Sequence, residues 1–496
     1  MAEARSPAAR DGRRARCRAF CLKYFCEGQL LDKKLSAKLE ASDKELPWTI
    51  KYRKQIAMAI PLVFVHVIWW TAMVRWNSFH LFTDQVGKQP QYRKLCHSGV
   101  RPWYMSVTMI FGSMIAGATS EGGAAVAFPV MTLAMDVRPD VAKQFSFMIQ
   151  SVGMTAAAFV ILFMGVQVEW KSICYCTAGG IFGLIYGLEK VAPVLTPPYA
   201  KMYFVCIWGS FAASLYHLNR LRDRRVYVEM DPPHLPRVWR NADLVDSPYL
   251  SWILNWKALV LVAAGFLGGI FTSISGSGID ICSFAVLTLL FRISEKTATP
   301  TSVVLMAINT VVALCYSKWL TREGLERLAW EFFVVCCPIV VIGAPLGSII
   351  GSHLHRLTLA VGIYSIDFTQ FVGALVVVRP WSHEKCHKRG PRVQHPGGRW
   401  RGSNCEPLHL CWTSAALFAG GLGAFWLMQF FGQRLMDRND TIEIDAKSRK
   451  HARDATLDPD ANVELVSEDA VASDARAQTG ARTPTGAARA AAADAP

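Results

Sequence analysis

The chain has 496 residues, of which 52% are hydrophobic and only 18% charged, and the apolar residues fall in blocks long enough to cross a bilayer. That pattern excludes an ordinary soluble domain. The formal charge of +15 is carried by the termini and loops, where membrane topology selects Lys and Arg, so it does not point to nucleic acid.

Residues 1–54 are polar and basic and read as a cytosolic arm without a signal peptide. The first apolar run, Gln55–Val74, lacks a small-residue cleavage site and is expected to stay as a transmembrane helix (55–74). A polar loop (75–102) leads to a first transmembrane repeat at 104–219, a basic cytosolic linker at 220–256 and a second repeat at 257–380. A Gly-, His- and Arg-rich stretch at 381–409 reads as a surface loop or an insertion. The last transmembrane helix occupies 410–433, and 434–496 is an Ala-, Asp- and Arg-rich tail expected to be disordered. The stretches 55–74, 144–165, 202–219, 301–317, 332–355 and 407–433 contain no Asp, Glu, Lys or Arg. Each approaches or exceeds the ~20 residues that span a hydrocarbon core.

Cysteine usage says little, because most of the thiols lie inside apolar blocks where Cys behaves as a small hydrophobe. Cys17, Cys21 and Cys26 could accept a lipid but read more simply as solvated thiols. His383, Cys386 and His387 lack a second ligand pair, so no metal or other cofactor is expected.

Residues 111–154 align without a gap onto 267–310 at a constant offset of 156, with identities that include Gly112/Gly268, Gly122/Gly278, Phe128/Phe284, Ala142/Ala298 and Ser146/Ser302. The block 104–135 would be about 48 Å long as one helix, too long for one ordinary crossing. It is interrupted by Gly117-Ala118-Thr119-Ser120-Glu121-Gly122-Gly123, and its counterpart by Ser273-Ile274-Ser275-Gly276-Ser277-Gly278. Each block therefore reads as two short membrane-inserted segments. With the N-terminus cytosolic, the first repeat starts outside and the second inside, with five passes in each. The C-terminus then returns to the cytosol. The expected fold is an all-α polytopic membrane protein of about 10–12 membrane segments, built from two inverted-topology repeats with Gly-interrupted broken helices, as in secondary transporters.

A break in mid-membrane frees backbone N–H and C=O groups that lipid cannot satisfy, so it persists where protein, water or substrate completes the hydrogen bonds. A half-helix N-terminus presents unpaired N–H groups to an anion. The candidate substrate-binding residues are Thr119, Ser120, Gly122, Gly123, Ser275, Gly276, Ser277 and Gly278 at the breaks. A second polar set, Gln150, Thr301, Ser302 and Asn309, lies on the helix that follows each break. Thr299 reads as the N-cap of the second of these helices, with Pro300 at its first position. Gln150 and Asn309 serve equally well as substrate ligands or as interhelical hydrogen-bonding glue.

Three acids fall inside apolar blocks, and an intramembrane carboxyl is by default a functional candidate. Glu121 and Asp280 lie at the breaks, where a desolvated carboxyl can take up a proton together with an anion or can hold the break open through local N–H bonds. Asp367 reads as structural or close to an interface.

At these motifs the sequence resembles the sulfite exporter TauE/SafE family. The resemblance is carried by Gly117–Gly123 through Phe128-Pro129-Val130-Met131 and by Ser275-Gly276-Ser277-Gly278-Ile279-Asp280 through Ala298-Thr299-Pro300-Thr301-Ser302. It covers roughly 104–380 and the closing helix, and implies a carrier for sulfite, sulfonates or related anions. Glu121 and Asp280 depart from the family's Gly-rich runs and suggest a divergent branch of eukaryotic type. Two other readings compete with a carrier working by alternating access: an anion channel, and an intramembrane enzyme suggested by Gly276-Ser277-Gly278-Ile279-Asp280. That run misses the GxGD protease spacing by one residue and lacks a partner acid in a Tyr-Asp pair. A small anion and membrane lipid are the expected partners; the oligomeric state is not legible.

Overall fold

A computed structural model describes residues 18–40, 48–76, 101–119, 121–220, 226–230, 256–320, 324–381 and 407–457. Ser120, the 381–406 loop apart from Trp381, most of the 75–102 and 220–256 connections and the last part of the tail lie outside these residues. Among the described residues, a short helix at Lys33–Glu40 and one turn at Trp48–Lys51 are followed by twelve helices. They are α1 (Arg53–Arg75), α2 (Pro102–Ala118), α3 (Gly122–Pro129), α4 (Pro139–Phe163), α5 (Trp170–Tyr186), α6 (Pro197–Asn219), α7 (Trp256–Ser275), α8 (Ile279–Ala285), α9 (Glu295–Cys315), α10 (Arg327–His353), α11 (Arg356–Val378) and α12 (Pro407–Leu457). Seven of the spans are long and apolar enough to cross a membrane.

The five helices α2–α6 correspond in order to α7–α11. Both α3 and α8 continue into a wider π-type turn, Val130–Ala134 and Val286–Leu290, at the same offset of 156 residues that relates Glu121 to Ser277. Each turn is followed by a non-glycine residue in the left-handed region, Asp136 (φ 50°) and Arg292 (φ 56°). A single residue of this kind costs of order 1 kcal/mol, and its presence at equivalent positions shows that the duplication extends to backbone detail.

The halves are inverted. Asp32 N–H donates to Gly165 O at the C-terminal end of α4 (2.8 Å), while Lys296 Nζ donates to Gly28 O at the N-terminal end of α9 (2.8 Å). One short N-terminal stretch thus touches opposite ends of equivalent helices. His355 N–H, between α10 and α11, donates to Tyr24 O on the same face (3.0 Å), as the crossing count requires.

The halves also interlock, since α2 packs on α10 and α7 packs on α5. Small residues at four-residue spacing line both seams. A Cβ at Gly117 or Gly347 would lie 1.9 Å from Ala344 O or 2.1 Å from Met114 O. In the other seam a Cβ at Gly183 would lie 1.9 Å from Phe266 O, and one at Gly265 2.3 Å from Cys176 O. Backbone-to-backbone approach of this kind is how helices associate without a hydrophobic driving force between them.

Two expectations from the sequence are corrected. Helix α9 begins at Glu295, capped by Ser294, whose hydroxyl accepts from Lys296 N–H (3.4 Å), not at Thr299-Pro300. Ser294 has the extended backbone a cap needs and Glu295 favours the positive helix end; Pro300 then sits inside the helix and removes one backbone bond. The tail boundary at 434 is also too early, because α12 runs on to Leu457. The chain divides into units at Leu435 and Met436, and the described part of the second unit is this helical continuation.

Candidate functional site

Both breaks are tips of helical hairpins. Helix α2 ends where Thr119 turns extended (φ −120°, ψ 173°), and Gly122 follows at φ +69°. The arms close on one another at Gly112, where a Cβ would lie 3.1 Å from Val126 Cγ1. In the second half Gly276 turns the chain at φ +91°, and a Cβ at Gly268 would meet Ile279 Cα at 2.6 Å and Cys282 Cβ at 3.1 Å. The repeated Gly112/Gly268 pair thus marks the point where each hairpin's arms touch.

The two tips meet. Ser277 Oγ donates to Glu121 O at 3.2 Å. Near the middle of α4, Gln150 Nε2 donates to Gly276 O (2.8 Å) and to its own Ser146 O (3.1 Å). A Cβ at Gly276 would lie 2.4 Å from Ser146 Cβ, and one at Gly122 would lie 2.4 Å from Met306 Sδ of α9 and 2.8 Å from Gln150 Oε1. The junction therefore lies at the mid-depth of α4 and α9, between their facing sides. Beside it, Ser113, Gly123, Gln150 and Gly153 help to line a small cavity of about one water's size.

Several tip hydroxyls are already engaged. Ser275 Oγ donates to Ser277 O (2.8 Å), Thr119 Oγ1 donates to Ile115 O (2.8 Å) and accepts from Glu121 N–H (3.3 Å), and Thr272 Oγ1 accepts from Ile279 N–H (3.1 Å). Asp280 serves its own turn: Oδ1 accepts from Gly278 N–H (2.6 Å), and Oδ2 shares with Glu121 O the single O–H of Ser277. The carboxylate thus holds the break in shape by satisfying freed donors.

Glu121 behaves differently. It is fully buried, and neither carboxyl oxygen has a hydrogen-bond partner. Its neighbours are the Asp367 carboxyl, the Asp280 carboxyl and the Trp208 indole. These groups interact at close range without the geometry of a formed hydrogen bond, since the Asp367 oxygens and Trp208 Nε1 are equally unpartnered. Asp367 stands near the middle of α11, not at an interface, and Trp208 occupies the equivalent place on α6. The sequence singles out Asp367 as an acid in an apolar span but reads it as structural or close to an interface; Trp208 carries no such signal.

The sequence-predicted residues divide accordingly. Thr119, Glu121, Gly122, Gly123, Gln150, Ser275, Gly276, Ser277, Gly278 and Asp280 gather at the junction, and Ser120 lies outside the described residues. Thr301 does not join them, because its hydroxyl accepts from Glu169 N–H at the entry to α5 (2.9 Å) and donates to Thr297 O. Ser302 donates back to Thr299 O (2.8 Å). Asn309 donates to Leu305 O of its own helix (2.9 Å), and its Oδ1, buried without a partner, faces Gly180 of α5. Asn309 and Ile279 stand, in the second half, at the places that Gly153 and Gly123 hold in the first, where the two glycines help to line the cavity.

A pseudo-symmetric bundle of inverted repeats, with two broken helices meeting at mid-depth, defines a membrane transporter. Residues 104–369 match the family model described as sulfite exporter TauE/SafE. The chain belongs to the sulfite exporter TauE/SafE family. No curated protein and no solved structure matches it. Membership in a transporter family favours a carrier over the intramembrane enzyme.

Proposed function

We propose that the protein moves a small sulfur-containing anion, of the sulfite or sulfonate class, by alternating access, with one inverted repeat rocking against the other around the two tips. The observation that carries this reading is the junction itself, in which Ser277 of one hairpin bonds Glu121 of the other beside a mid-helix glutamine. An anion entering there meets the backbone amides of Gly122 and Gly123 and draws on groups that the tips now use internally, namely the amides of Gly276 and Gly278, the hydroxyls of Thr119, Ser275 and Ser277, and the Gln150 amide, which exchange their present partners for it. Among the described residues the ionisable groups around the Glu121 carboxyl are Asp280 and Asp367, so no Lys or Arg neutralises the substrate. Amides and hydroxyls do this in transporter sites built from half-helix ends.

Protonation belongs to the cycle for the same reason. An anion cannot approach several ionised carboxyls without strong repulsion, so proton uptake accompanies anion binding. Glu121 carries the coupling proton, whereas Asp280, engaged with Gly278 and Ser277, keeps the turn in place.

Flux in proteoliposomes tests the proposal, with sulfite, sulfate and short sulfonates loaded on one side and pH gradients of either sign imposed. Saturable exchange stimulated by a pH gradient is expected. Absence of flux for every anion under every gradient would overturn the reading, and conductance at channel rates would replace it with an anion channel.

A further inference from the structure

Asp367 is not accounted for by the anion site. It is fully buried on α11, and its carboxyl stands directly beside that of Glu121, which rides on the α2–α3 tip. All four oxygens of the two groups lack a hydrogen-bond partner. The other groups facing them are the Asp280 carboxyl from α8 and the Trp208 indole from α6, whose Nε1 is also buried and unpartnered. The Cys282 thiol of α8 lies beyond, next to Asp280. Among the described residues, Lys201 of α6 pairs with Asp136, Lys296 of α9 with Glu27 and Arg356 at the start of α11 with Glu295, each at a helix end.

Two carboxylates side by side, shielded from water and without a cation, cannot both stay ionised, whereas one proton shared between them removes the repulsion. The single remaining charge then needs a donor, and the Trp208 N–H is placed beside Glu121 to be that donor. We propose that Glu121 and Asp367 together hold one exchangeable proton, which makes Asp367 the second half of the coupling site and Trp208 its positioning residue. Glu121 belongs to a hairpin tip and Asp367 to α11, so a movement of the tip that separates them splits the pair and releases the proton. The role in transport rests on the carrier reading above; the shared proton does not.

The test is infrared spectroscopy of the purified full-length chain in detergent at neutral pH, read at the carbonyl stretch of a protonated carboxylic acid. The wild type should show one such band. Glu121→Gln and Asp367→Asn should each remove it, the double variant should remove nothing more, and Asp280→Asn should leave it. If one single variant does not elute as a monodisperse protein, the other reads the same pair from its opposite member. A band that survives both substitutions, or one that sodium abolishes at constant pH, would overturn the shared proton. In proteoliposomes, Asp367→Asn should keep anion exchange and lose its acceleration by a pH gradient; full acceleration in that variant would overturn the coupling role. Wild-type protein that shows the band but no anion flux would sink the carrier reading and leave the proton pair standing.

Discussion

The Ser277 hydroxyl donates to the Glu121 carbonyl across 3.2 Å, and the two residues are 156 positions apart, the offset of the repeat. Equivalent points of the two halves therefore touch, and the pseudo-two-fold axis of an inverted repeat passes between them. Such a contact can be made and broken without bending either hairpin, which is what rocking about a fixed site requires.

The acids at this contact should separate on substitution. Asp280→Asn replaces a carboxylate that accepts from both Gly278 N–H and the Ser277 hydroxyl, and an amide has only one oxygen to offer. A loss of about 1–3 kcal/mol is expected from one orphaned buried donor, seen as a lower melting temperature in detergent. Glu121→Gln orphans no backbone donor and should lower the melting temperature less than Asp280→Asn. Equal destabilisation by both would contradict the division of roles.

Gln150 ties the first half to the second half's tip. Gln150→Leu should leave Gly276 O without its donor, at a cost of about 1–3 kcal/mol. Gly276→Ala adds a Cβ at φ +91° and 2.4 Å from Ser146 Cβ, so it should cost more than the ~1 kcal/mol of backbone strain alone. Chemical denaturation of the two variants measures both; a neutral Gly276→Ala would mean that the tip is not fixed as described.

The seams make a sharper contrast. Gly347→Ala and Gly183→Ala place a Cβ about 2 Å from a backbone oxygen of the facing helix, where nothing flexible can yield. Gly362→Ala and Gly373→Ala on α11 meet nothing within 4 Å and should be neutral or stabilising by up to about 1 kcal/mol through helix propensity. Thermal stability measured by size-exclusion chromatography ranks the four, and the seam pair should fall clearly below the α11 pair.

A pH effect is expected at the face bound by the N-terminal stretch. His355 caps α11, its Nδ1 accepting from Leu357 N–H (3.1 Å). Partial burial holds its pKa below the usual 6.5, opposed by Glu27 and reinforced by Arg356, Lys296 and Lys23. The unfolded chain then binds the proton more readily, so this contribution is complete above pH 6.5 and is lost as pH falls below it towards the folded value. His355→Asn keeps a capping acceptor without the titration. The melting temperature of the wild type should drop across that window relative to the variant; parallel curves would contradict the assignment.

Much of this was legible in the sequence because transmembrane architecture imposes strong rules. The charge-free runs, the Gly112/Gly268 match and the paired glycine breaks point to the all-α polytopic fold, to the inversion and to the two hairpin tips. The offset of 156 also contained the start of α9, since it sets Ser294 against the cap Arg138, but the local attraction of Thr299-Pro300 as a helix entry concealed it. Asp367 stood out as an acid in an apolar span, but its place beside Glu121 and the part of Trp208 were not legible. Their meeting with Glu121 depends on how α6 and α11 lie against a hairpin tip distant in sequence, and no periodicity within a helix encodes that.

The claim at the centre of this account is that the junction of the two tips opens to one side of the membrane and then the other. Ser275→Cys in proteoliposomes, treated with a membrane-impermeant anionic thiol reagent from either side and compared with wild type to remove background, measures this directly. Labelling from each side in turn, slowed by sulfite on both, is the predicted result. Labelling confined to one side under every substrate and pH gradient would contradict alternating access at this site.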